Sequence, residues 1–184
     1  LHRLRRLLGC ERALLLSDRK LSLNPAVCWV DAWAFERLLV RLDGLIQPPL
    51  TTGAESTPAI ARLATRISAL YRGPFLGREI SATWAVAPRE RLLSKFLCQL
   101  GTLGRHWEAA GEWGRAAEAY QKAVDLSNLT EENYQRLMLV YCATGQHSEA
   151  ISVYQRCRET LLAALDRPPS PGIEALRREL EATR

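Results

Sequence analysis

Residues 103–123 and 137–157 carry one pattern displaced by 34 positions, and that register limits the folds open to this chain more than any single side chain does. Leu103, Gly104, Trp107, Gly111, Ala116, Tyr120 and Ala123 advance onto Leu137, Met138, Tyr141, Gly145, Ala150, Tyr154 and Cys157. Large residues are expected to fall on large and small on small, with the turn glycine on a glycine. A repeat of this length is one helix–turn–helix unit that cannot bury its apolar face alone, so it stacks on a neighbour. Gly111 and Gly145 suit helix C-termini because glycine reaches left-handed dihedrals without a Cβ clash. Ala116 and Ala150 fall where the two helices of a unit press together. Stacks of this kind bind other molecules and rarely catalyse.

The spacing and residue sizes resemble the tetratricopeptide repeat. The expected fold class is mainly α: a tetratricopeptide-like α-α superhelix behind a small N-terminal helix plus β-hairpin. Leu1, Leu4, Leu7 and Leu8 fall at helical spacing with His2, Arg3, Arg5 and Arg6 opposite, and Gly9 ends that helix. Ala13–Ser17 and Lys20–Asn24 read as two short strands joined at Asp18–Arg19. No glycine supplies a positive φ at this turn, which leaves its type open. Asp31 is placed as the N-cap of a helix to about Asp43. Gln47–Pro58 is a loop by composition and a candidate for local disorder. Helices are then expected over 59–71, 89–110, 114–127, 131–144, 147–165 and 171–182. The long one starts at about Arg89, with Pro88 tolerable only in its first turn.

No apolar run reaches the roughly 20 residues of a membrane span, and no secretory signal follows the basic N-terminus. A cytoplasmic location is expected, with no membrane partner. The chain starts without Met inside a helix, which suggests a piece of a longer polypeptide. Five scattered cysteines form no C-x-x-C pair and lie at no metal-ligand spacing from the three histidines, so reduced, structural thiols are expected, with no metal and no cofactor. Phosphate-binding glycine loops, H-E-x-x-H and G-x-S-x-G are all missing, and the chain is expected not to be an enzyme. Trp29, Trp33, Trp84, Trp107 and Trp113 are each assigned to core packing, given the area an indole buries.

Net charge is +5 and it is concentrated. Residues 1–24 hold Arg3, Arg5, Arg6, Arg12, Arg19 and Lys20 against Glu11 and Asp18, so four of the five net charges lie there. A basic patch on one element is the footprint of an anionic partner. The stretch LHRLRRLLG followed by ALLLSDRKLSLN resembles the recognition helix and wing that end an OmpR-type winged helix–turn–helix domain. That likeness implies DNA contact through Arg3, Arg5, Arg6, Arg19 and Lys20, and the physics agrees. Arginines on one side of a helix reach guanine acceptors or phosphates in the major groove. A solvated amphipathic helix on a hairpin is the plainer alternative.

Further along, CWVDAWAFERLL (28–39), LYRGPFL (70–76), TWAVAPRERLLSKF (83–96), the repeats and RPPSPGIEAL (167–176) follow in order. Together they resemble the bacterial transcriptional activator domain, the helical module found behind a winged helix in SARP/AfsR-type and large MalT-like regulators. The implied organisation is 1–26 as the end of a winged-helix DNA reader and 27–184 as the activator domain. The implied partners are DNA, through the complete winged helix of a parent chain, and a protein on the helical array: another copy, a sensory domain or the transcription machinery. By the repeat register, the inner-helix face offers Arg105, Glu108 and Ala109 from one unit and Glu132, Gln135 and Leu139 from the next. The alternative is an adaptor or assembly module with no nucleic-acid role.

Overall fold

The computed structural model describes residues 1–46, 56–77 and 82–182. The chain divides into two compact units, Leu1–Gly73 and Pro74–Arg184.

The first unit opens with α1 (His2–Leu7), a single 3-10 turn (Glu11–Ala13), and strands β1 (Leu14–Ser17) and β2 (Lys20–Leu23). The strands pair antiparallel, Leu14 opposite Leu23 and Ser17 opposite Lys20. Asp18 (φ 49°) and Arg19 (φ 61°) both adopt positive φ, the requirement of a two-residue type I′ turn. The turn therefore forms without glycine, at the expense of holding an arginine in a region L-residues avoid. Helices α2 (Asp31–Ile46) and α3 (Ser56–Leu70) follow. Phe35, Leu39 and Leu42 of α2 and Ile60, Leu63 and Ile67 of α3 are buried at helical spacing, so each helix turns one apolar stripe to the other. Asp31 lies inside the first turn of α2, where its Oδ1 accepts the Ala32 N–H at 2.7 Å. Ser56–Pro58 belongs to the first turn of α3, with Pro58 where proline is tolerated. The rest of the sequence-assigned loop lies outside the described residues.

The second unit is built from α4 (Thr83–Ala109), α5 (Trp113–Leu126), α6 (Glu131–Ala143), α7 (His147–Leu165) and α8 (Pro171–Ala182). Consecutive helices from α4 to α8 pack on each other, and α8 also reaches α6. The short turns between them make neighbours antiparallel. Gly111 (φ 73°) and Gly145 (φ 72°) close the equivalent helices with matching left-handed dihedrals. Ala116, Ala123, Ala150 and Cys157 have no exposed surface.

Three sequence expectations need correction. First, α4 begins at Thr83, not Arg89, and contains Pro88. Proline there removes one ladder bond, to the Trp84 carbonyl, close to an open helix end. Second, Trp29 is 70 % exposed and Trp84 65 % exposed, unlike the buried Trp107. Trp84 stands in the first turn of α4 and makes an edge contact with Phe75, ring centroids 6.5 Å apart. Trp29 precedes α2 and lies on no helix face. Third, the Gly104–Met138 pair breaks the rule of small on small. A Cβ on Gly104 would stand 2.3 Å from the Tyr120 ring, so that ring fills the space a side chain would take. In the second repeat Met138 is itself buried, and the Tyr154 hydroxyl turns to Glu174, 2.7 Å away on α8.

Glu131, in the first turn of α6, explains part of the RPPSPG segment. One oxygen pairs with Arg167 at 2.8 Å, and the other accepts the Ser170 N–H at 2.7 Å, just ahead of α8. Glu131→Gln keeps an acceptor for Ser170 and loses the charge on Arg167. Because Arg167 is half exposed, a stability loss of about 1 kcal/mol is expected. Amide exchange should quicken in α8 before the other helices of this unit. Uniform exchange across the unit would show that Glu131 does not hold α8.

Candidate functional site

An open groove of about 490 Å³ lies along α4 and the start of α6. On α4 the lining side chains recur every three or four residues: Glu90, Leu93, Ser94, Leu97, Cys98, Gly101 and Arg105. That spacing puts them on one helix face. Thr130, Glu132, Asn133 and Arg136 form the opposite wall, with Tyr120 of α5 between.

The Tyr120 hydroxyl donates to Glu108 Oε1 at 2.5 Å, and Arg136 stands 3.7 Å from the same carboxylate. Burial, then the bond to Glu108, pushes the Tyr120 hydroxyl far above its ordinary pKa. Tyr120 therefore stays a neutral donor, and Glu108 is occupied by two partners. Arg105 is exposed, and its guanidinium donates to Thr102 Oγ1 at 3.4 Å.

Of the six residues placed on the inner-helix face, Arg105 and Glu132 line the groove. Glu108 faces inward to Tyr120, and Ala109 is exposed at the C-terminus of α4. Gln135 lies toward Gly172 of α8, and Leu139 is exposed. Sequence reasoning missed Leu93, Leu97, Tyr120, Asn133 and Arg136. Continuing the three-to-four spacing backward from Arg105 would have found the α4 residues, but the repeat register starts only at Leu103.

In the first unit, Arg3, Arg6, Arg19 and Lys20 are exposed and make no ion pair among the described residues. Arg5 differs. Half-buried, it donates to the Leu14 carbonyl at 3.1 Å and lies 3.8 Å from Glu11, tying α1 to the hairpin. All five cysteines are free, and the described residues contain no metal-holding group of histidine, cysteine and carboxylate side chains. No helix among them is long and apolar enough to cross a membrane.

The fold and groove define a mainly helical array of stacked hairpins whose offering is an open surface. The sequence matches the bacterial transcriptional activator domain across residues 30–181. The chain belongs to that family, one of transcription regulators. No curated protein and no solved structure matches it.

Proposed function

We propose that this chain is part of a DNA-binding transcription regulator of the bacterial cytoplasm. Its first 26 residues end a winged helix. Pairs α4–α5 and α6–α7 act as two tetratricopeptide-like repeats that bind protein: a second copy, a sensory domain or the transcription machinery. The observation that carries this reading is the placement of Arg3, Arg6, Arg19 and Lys20. They are four exposed cations without ion pairs among the described residues, on a helix and hairpin tip directly ahead, in sequence, of the family's helical array. The apolar side of α1, with Leu1, Leu4, Leu7 and Leu8 exposed, also suits packing against the remainder of a winged helix.

In a parent chain with a complete winged helix, each phosphate-contacting cation removed should shallow the log K against log salt slope by about 0.9. Arg3→Ala and Arg6→Ala are the direct variants. Arg19→Gly is more informative, because Asp-Gly is a favoured type I′ pair. It removes the charge while relieving the left-handed arginine, so the hairpin should hold or gain stability as DNA affinity falls. Arg5→Ala is a poor test, since losing its bond to Leu14 loosens the element. Unchanged DNA binding in all three variants would favour the adaptor reading.

A further inference from the structure

The groove carries a more specific partner chemistry. Each wall carries one carboxylate and one cation, Glu90 and Arg105 on α4 and Glu132 and Arg136 on α6. Arg105 on α4 and Glu132 on α6 both line it, both are exposed, and neither makes an ion pair among the described residues. The other nearby charges are committed: Glu108 to Tyr120 and Arg136. Glu90 stands at the far end of the α4 wall, roughly 22 Å from Arg105 at 1.5 Å per residue. Between those ends the α4 face is apolar or small, with Leu93 and Leu97 beside Ser94, Cys98 and Gly101.

Gly101 is not explained by the domain's own packing. Among the described residues a Cβ there would meet only Arg105 Nη1, at an ordinary 3.6 Å, and glycine is disfavoured inside a helix. Gly104, one turn on, has the Tyr120 ring to explain it. A bare position in the groove floor lets another backbone approach α4 closely.

We infer that the groove receives an amphipathic helix of a protein partner, its apolar stripe on Leu93, Leu97 and Gly101, with a carboxylate toward Arg105 and a cation toward Glu132. Opposite charges across the walls fix which way round such a helix lies, and a helix laid apolar-side-down is a recurrent mode of groove recognition. This rests on the protein-binding reading of the array.

The probe is a displayed library of random helical peptides selected on the whole chain. Alkylation of Cys98, an exposed thiol inside the groove, reports occupancy by peptide mapping. Peptides that protect Cys98 should carry acidic and basic residues on opposite flanks of a leucine-type stripe. Arg105→Glu and Glu132→Arg should each weaken them about tenfold. Gly101→Leu should weaken them at least as much by filling the floor. The double variant Arg105→Glu/Glu132→Arg should select peptides with exchanged flanks. Thermal midpoints measured alongside should stay at the wild-type value for both charge variants, because both positions are exposed. Cys98-protecting peptides without charged flanks, indifferent to both reversals, would overturn this chemistry and leave a protein-binding groove. Selection yielding no peptide that protects Cys98 would overturn the groove as a docking surface.

Discussion

Gly104→Met is expected to destabilise the second unit by about 3 kcal/mol, the upper part of the usual range for overpacking. The substitution installs the residue that occupies the equivalent slot of the next repeat. In the next repeat Met138 is buried and the Tyr154 hydroxyl donates to Glu174 of α8, whereas Tyr120 packs directly over Gly104. Its ring atoms would lie 2.3, 2.5 and 2.8 Å from the new Cβ, and its hydroxyl is bound to Glu108. Better helix propensity returns at most about 1 kcal/mol. In thermal unfolding the midpoint should drop by roughly 10 °C. The double variant Gly104→Met/Tyr120→Ala should be more stable than the sum of its singles, since removing the ring opens the space Met needs. Strict additivity would mean that the two positions do not share a volume.

The pair also marks what the sequence could and could not reveal. The register, the paired turn glycines and the buried alanines were legible because helix packing imposes a period, and a period survives in a single sequence. A steric exchange between a glycine and a tyrosine 16 positions later leaves no periodic trace. The groove escaped for a related reason. Half of it comes from the α4 residues ahead of the repeat, where no second copy exists for comparison. The start of α4 was hidden by Pro88, whose propensity signal outweighed five residues of helix upstream of it. At the hairpin the strands were readable from alternation and length. The turn type was not, because Asp18 and Arg19 take dihedrals that their identities disfavour. The basic N-terminal element was legible as charge, but composition could not separate Arg5, which holds Leu14, from the four cations that face solvent.

Alkaline pH offers the second large effect, and Cys157 is its source. This thiol has no exposed surface. Burial, reinforced by the negative charge of Glu131 and opposed by Arg167, pushes its pKa up to about 11. In the unfolded chain a thiol ionises near 8.5. The folded-state value is raised, so the unfolded state releases its proton first as pH increases. The contribution is fully present below the unfolded value and is lost as pH rises through the folded one. Between about pH 8.5 and 11 the second unit should lose on the order of 3 kcal/mol from this group. Cys157→Ala isolates the effect, because the first repeat already carries Ala123 at the matching position, also without exposed surface. At pH 7 the variant should be less stable by about 1 kcal/mol for the lost sulfur contacts. Its denaturant midpoint should then fall less steeply than wild type, and the two curves should cross near about pH 9 to 9.5, leaving the variant the more stable at about pH 10.5. The loss that remains in the variant belongs to the Cys142 thiol, also raised by burial, and, from near pH 10, to Tyr120 and Tyr154, both raised above the ordinary tyrosine value mainly by burial. Parallel curves from pH 7 to 10.5 would show that the thiol titrates alike in both states, which a side chain sealed between α7 and its neighbours does not allow.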